Sequence, residues 1–219
     1  MLAIFDHDGV LVDSLDFHTQ AWLELGQRRS LPIDADFIRR TFGMTNFMIF
    51  EELFGQPLPH EEALELGIAK EACYRDLARG NIDLMAGVRD LIENLTAHEF
   101  GLAIGSSGPR PNLFLTVESC GLDGRFRSIV GLEDIRRGKP DPEVFLKAAA
   151  QAGVEPARCV VFEDAVFGIQ AAKAAGMYAV GVGSTNPLDV LIAAGADEAV
   201  PTLEAFHVPR LAETLRSRT

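Results

Sequence analysis

Asp6 and Asp8, alternate residues in Ile4-Phe5-Asp6-His7-Asp8-Gly9-Val10, are the pair whose types and spacing most directly suggest chemistry. Two carboxylates held a few ångströms apart repel, and one takes up a proton unless a cation offsets the charge. A hard divalent ion such as Mg²⁺ offsets it with oxygen ligands, and usually keeps phosphate oxygens and waters in its shell. Phosphoryl transfer through a covalent intermediate needs a carboxylate nucleophile, an acid for the leaving group, a metal, oxyanion donors and a fixed cation. The chain offers a candidate for each. Asp6 would attack phosphorus, while Asp8 would protonate the leaving oxygen and then deprotonate the attacking water. Ser106, ending Leu102-Ala103-Ile104-Gly105-Ser106, could donate its hydroxyl to a phosphoryl oxygen. Lys139, in Gly138-Lys139-Pro140-Asp141-Pro142, could pair with Asp6 and the phosphate. Glu163-Asp164, after Val160-Val161-Phe162, supplies further oxygens for the metal.

Taken singly, each has an ordinary structural explanation. Ser106 suits a turn or cap, Lys139 a solvated loop, Glu163-Asp164 a helix N-terminus and Asp8-Gly9 a turn. What those explanations leave unaccounted for is their order at successive strand ends. Strand-like runs recur at 2–5, 102–106, 128–130, 159–162 and 178–182, and helical patterns separate most of them: 88–98, 142–152, 165–175 and 203–216. Strands and helices alternating at this length predict a doubly wound α/β fold with a parallel sheet covered on both faces. Met1 to Phe5 is wholly apolar, as a strand buried on both faces would be. Carboxylates at its carboxyl end therefore stand where open α/β sheets place their ligands. Asp141-Pro142 begins a helix, and Gly153 and Gly176 stand just past helix ends.

The spacing breaks once. About a hundred residues separate the first strand from the second, far more than one crossover helix needs. Within that gap the patterns are helical at 16–29, 36–41, 46–54 and 60–79, punctuated by proline and glycine. The expected organisation is a core of residues 1–14 and 84–219 with a helical cap of residues 15–83. A cap over phosphate chemistry would exclude bulk water and help to choose the substrate.

Composition narrows the partners. The 219 residues carry 32 acidic and 20 basic side chains, a formal charge of −12. With no basic stripe, nucleic-acid binding is not expected, nor is a membrane span, since no apolar run is long enough. Cys73, Cys120 and Cys159 form no Cys-x-x-Cys and read as buried thiols of a reducing compartment. Losing even ten N-terminal residues would delete both aspartates, so a cleaved leader conflicts with this site and a cytoplasmic location is expected. His60, His98 and His207 show no ligand spacing for zinc.

The run from Asp6 to Ser14, followed in order by Ser106, Lys139 and Glu163-Asp164, resembles the four motifs of the haloacid dehalogenase superfamily. The segment from Glu163 to Gly176 looks like the subgroup containing β-phosphoglucomutase and the small phosphosugar phosphatases. The resemblance implies a Mg²⁺-dependent phosphatase acting through an aspartyl-phosphate on a small phosphorylated metabolite, in particular a sugar phosphate. It places Asp6, the Asp8 carbonyl and Asp164 on the metal, with Glu163 a direct or supporting contributor. Asp8 argues against dehalogenation, and Asn46 at the position of a Schiff-base lysine argues against phosphonate hydrolysis. Substrate selection would fall to His18, Trp22 and the turn from Gly43 to Asn46 in the cap, and to Ser107, Gly108 and Arg110 in the core. His18 matches a cap histidine of the mutase, which is the alternative reading. A mutase must also hold a second phosphate, and Asn46 with the run Gly108-Pro109-Arg110 lacks most of the groups expected for that. His7 departs from a position that is usually apolar or aromatic. A monomer or weak dimer is expected.

Overall fold

The structure is a computed structural model that describes residues 1–41, 44–204 and 206–218. Its centre is a six-stranded, wholly parallel sheet in the order β3-β2-β1-β4-β5-β6. The strands are β1 (Leu2–Phe5), β2 (Gly101–Gly105), β3 (Ser128–Val130), β4 (Cys159–Glu163), β5 (Tyr178–Val182) and β6 (Glu198–Val200). Every residue of β1, β2 and β4 is buried, because helices cover both faces and leave no solvated side for alternation to mark. In register, Phe5 pairs with Ile104 on one side and Phe162 on the other. The chain winds from β1 outward through β2 to β3, then returns to place β4 against β1. The carboxyl end of β1 thus lies at the point where the winding direction reverses, the usual ligand crevice of such sheets.

Contacts divide the chain into two compact units, Met1–Asp13 with Asp83–Thr219, and Ser14–Ile82. The second unit holds α1 (Leu15–Arg29), α2 (Ala35–Thr41), α3 (Asn46–Phe54) and α4 (His60–Ala78). Its core joins Trp22, Leu25, Phe37, Ile38, Ile49, Phe50, Ala63 and Leu66. Thr45 caps α3 by accepting the Met48 N–H, and Gly55 ends it at φ 69°, the left-handed conformation that glycine adopts without steric cost.

The sheet unit holds α5 (Val88–Ala97), α6 (Arg110–Ser119), α7 (Glu143–Gln151), α8 (Val166–Ala174), α9 (Leu188–Ala193) and α10 (Val208–Arg216). Three of these elements, α6, α9 and β6, have no counterpart in the sequence reading. β6 is a half-buried edge strand of three residues, too short for a period to show. The helix expected from Leu203 begins instead at Val208, where the His207 imidazole accepts the Arg210 N–H and Pro209 occupies the first turn. All three cysteines are buried thiols, and burial pushes Cys159 up to about 12. Among the described residues, no helix is long and apolar enough to cross a membrane.

Candidate active site

β1 ends at Phe5, and the next residue delivers its side chain to the crevice. The Asp6 N–H still bonds to the Phe162 carbonyl at 3.0 Å, so this carboxylate is fixed by the sheet ladder itself. The chain then doubles back: the N–H groups of Leu11 and Val12 both reach the His7 carbonyl, and Gly9 N–H reaches Val12. Gly9 holds φ 75°, and a Cβ there would stand 2.1 Å from the Asp164 carboxylate. Glycine is required at this position both for the turn and for the approach of that acid.

β4 contributes the opposite wall. Asp6, Glu163 and Asp164 present carboxylate oxygens within 4.8 Å of one another, and all three are buried. Lys139, from the loop before α7, answers part of this charge. Its Nζ lies 2.8 Å from Asp6 Oδ1 and 2.7 Å from Glu163 Oε2. Burial works against the ammonium, yet Asp6 and Glu163 hold its pKa above the ordinary lysine value. The Glu163 carboxyl is pushed well up, by burial first and then by Asp6. Asp164 is pushed up to about 7 for the same two reasons.

Both Glu163 oxygens have protein partners, since Oε1 accepts the Ala165 N–H at 3.1 Å. A Cβ on Gly168 would lie 2.0 Å from the Glu163 carboxyl carbon, so α8 packs directly over it. Asp164 is steadied from the loop after β5, where Asn186 donates to its carbonyl at 2.9 Å. One ammonium among three buried carboxylates leaves a surplus of negative charge. The oxygen-only donor set, with the Asp164 carboxyl pushed up by burial and by Asp6, fits a hard divalent ion.

Asp8 is turned elsewhere. Its Oδ1 meets His7 Nδ1 at 3.0 Å, and its carboxylate is not among the three clustered acids; the expected metal contact concerns its carbonyl. Ser106 follows β2 and is buried; its Oγ accepts the Gly108 N–H at 2.9 Å, which leaves its proton for an incoming oxygen. A Cβ on Gly108 would stand 3.3 Å from Ser106 Oγ and 3.7 Å from Asp8 Oδ2. Ser107 is half-buried beside it. Arg110 opens α6, where its guanidinium pairs with Asp134 at 3.0 Å and lies over the Phe114 ring. Its charge is therefore already matched.

The residues named in the helical unit form their own cluster. Lys70 Nζ donates to His18 Nδ1 at 2.6 Å and to Glu71 Oε1 at 3.0 Å. Asn46 Nδ2 donates to the same Glu71 oxygen at 2.9 Å. His18 stacks on Tyr74 with centroids 4.2 Å apart. Trp22 is buried against Phe50 at 5.4 Å, with Lys70 Nζ over its ring; it is part of the helical core rather than an open contact surface. Gly43 lies outside the described residues. Lys70 and Glu71 had no place in the site read from sequence. The signal was present, since lysine is scarce in this chain and Lys70 falls in helical phase with Leu66, Gly67, Cys73 and Tyr74 on the buried face of α4.

Residues 3–182 match the model of the haloacid dehalogenase-like hydrolase family. The chain belongs to that family. It is 33% identical over 214 residues to a β-phosphoglucomutase of Bacillus subtilis strain 168, covering 93% of this chain and 92% of the relative. It is 31% identical over 215 residues to a phosphorylated carbohydrates phosphatase of Thermotoga maritima, covering 94% and 96%. Among solved structures, a family IA, variant 3 hydrolase of Entamoeba histolytica superposes with a TM-score of 0.89 at 26% identity, covering 98% of this chain and 99% of that one.

Proposed function

We propose that this family member is a Mg²⁺-dependent phosphatase of small phosphorylated metabolites, sugar phosphates foremost. The observation that carries the reading is the surplus-acid cluster of Asp6, Glu163 and Asp164 around Lys139 at the carboxyl ends of β1 and β4. In this mechanism Asp6 attacks phosphorus as the ester oxygen departs with a proton from Asp8. The Asp8 carboxylate then takes a proton from the water that attacks phosphorus and releases Asp6 from its acyl phosphate. Ser106 and Lys139 hold the phosphoryl oxygens, and Glu163 keeps Lys139 in place. Asp6, Asp164 and the Asp8 carbonyl would hold Mg²⁺, with Glu163 engaged mainly by Lys139. The ion's chemistry is to shield Asp6 from the phosphoryl charge and to stabilise the charge that develops during transfer. The helical unit is assigned the part of a cap that selects substrate.

Two relatives set the alternatives, a sugar-phosphate mutase and a sugar-phosphate phosphatase. A mutase needs free cationic groups for a second phosphate. Asn46 is uncharged and bonded to Glu71, and Arg110 is committed to Asp134, which favours hydrolysis. The test is phosphate release from a panel of phosphorylated metabolites, with Mg²⁺ or chelator, including β-glucose 1-phosphate with its bisphosphate activator. Mg²⁺-dependent release that vanishes in Asp6→Asn supports the phosphatase. Isomerisation to glucose 6-phosphate without release would establish the mutase instead.

A further inference from the structure

His7 stands between the two aspartates, is 1% exposed, and has both ring nitrogens engaged. Nε2 lies 2.7 Å from the Thr116 hydroxyl, which comes from the fully buried face of α6, and Nδ1 lies 3.0 Å from Asp8 Oδ1. A carboxylate oxygen accepts, so Nδ1 carries a proton and donates it. For the neutral ring, Nε2 is then the acceptor for the Thr116 O–H. The result is a chain of two hydrogen bonds, Thr116 to His7 to Asp8, anchored in the buried interior of the sheet unit. The other Asp8 oxygen, Oδ2, is the one on the Gly108 side: it would be 3.7 Å from a Cβ there, with Ser106 Oγ at 3.3 Å.

We propose that Thr116 and His7 are positioning residues for Asp8. They hold Oδ1 as an acceptor, so that Oδ2, facing Ser106 and Gly108, is the oxygen that gives and takes the transferred proton. The proposal rests on the phosphatase reading and assigns a purpose to a polar ring where packing alone asks for none. An apolar ring of similar volume would fill the same space but would remove the Nδ1–H bond to Asp8 Oδ1. Asparagine, whose side-chain N–H group can stand in for Nδ1–H, would restore the orienting bond without the reach to Thr116.

The experiment compares kcat/KM for the best sugar phosphate of the panel with that for p-nitrophenyl phosphate, whose leaving group departs as a stabilised anion and needs little acid assistance. In His7→Phe, kcat/KM for the alkyl ester should fall about 10- to 100-fold, part of the roughly 10²- to 10⁴-fold that a general acid contributes, and that for the aryl ester about 10-fold less. His7→Asn should recover most of the loss, and Thr116→Val should shift the ratio in the same direction by about threefold, one weakened orienting bond. Equal losses on both esters, or no loss, would overturn the proposal. If His7→Phe does not fold, the ratio in Thr116→Val decides, and an unchanged ratio there overturns it as well. Should the wild-type protein hydrolyse neither ester, the phosphatase reading itself is what fails.

Discussion

Two lysines with largely enclosed side chains, Lys70 beside one carboxylate and Lys139 beside two, divide this molecule into a place where charge is offset and a place where it is not. In the helical unit Lys70 donates to Glu71 and to His18, and Asn46 donates to the same Glu71 oxygen. The ammonium and the carboxylate there offset each other. At the end of β1, Lys139 faces Asp6 and Glu163 while Asp164 stands within the same cluster. Burial and the neighbouring Asp6 charge push the Asp164 carboxyl up to about 7. The difference separates a pair whose charges offset each other from an acidic cluster that could hold a cation.

The sharpest way to break this contrast is Lys139→Met. Removing the one ammonium leaves three buried acids, and metal-free protein should lose about 3–5 kcal/mol of stability, as when one partner of a buried ion pair is deleted. Urea denaturation measures the loss. Mg²⁺ should restore part of the stability while turnover stays absent, because the ion offsets charge but would not replace the hold on the phosphoryl group proposed for the lysine. A variant as stable as the wild type without Mg²⁺ would show that the acids are not mutually destabilising.

The pH dependence of the metal-free protein sharpens the same point at a smaller scale. Asp164 is held at about 7, against an ordinary value of 3.8, so the native state binds this proton more tightly than the unfolded chain does. Its contribution to stability is therefore full below about pH 4 and is lost as pH rises through about 7, an effect on the order of a few kcal/mol. Mg²⁺ competes with that proton, so its stabilising effect should grow across the same window. Thermal unfolding with and without Mg²⁺ checks this. Asp164→Asn should flatten both the slope and the response to the ion; a response independent of pH would contradict the assignment of Asp164 to the metal.

Much of the sheet was legible from sequence because parallel strands buried on both faces leave unbroken apolar runs, and the acids and Ser106 directly follow such runs. The partners of those residues were not legible. His7 finds Thr116 across 109 residues, and His18 finds Lys70 across 52. Periodicity reports which face of an element is buried but not which distant hydrogen-bonding group meets it there. Helix α6 illustrates the cost. Pro111 in its first turn and Gly121 just beyond its end are start and stop signals, yet the helix went unread, and with it the residue that braces His7. Lysine is scarce in this chain, but the placement of Lys70 on the buried face beside Glu71 depends on how α1 and α4 pack. Arg110 is the reverse case: its charge was legible and its pairing with Asp134, from the turn after β3, was not.

The smallest expected effect belongs to the helical unit and tests the other half of the contrast. Lys70→Met should cost about 1–3 kcal/mol, because Glu71 is left buried with only part of its hydrogen bonding intact. The double variant Lys70→Met, Glu71→Leu removes both charges and should return to within about 1 kcal/mol of the wild type, since a buried pair replaced by apolar groups is often neutral. No matching pair exchange can neutralise the β1 end, where deleting Lys139 and Glu163 together still leaves Asp6 beside Asp164. If the double variant in the helical unit stays as unstable as the single one, charge balance is not what holds that network, and the contrast collapses. If it is stable but its KM for the sugar phosphate rises while kcat/KM for p-nitrophenyl phosphate does not change, a network complete in itself also reads the substrate. Electrostatic completeness would then mark how a site is held in place, and the surplus at β1 would mark where the chemistry occurs.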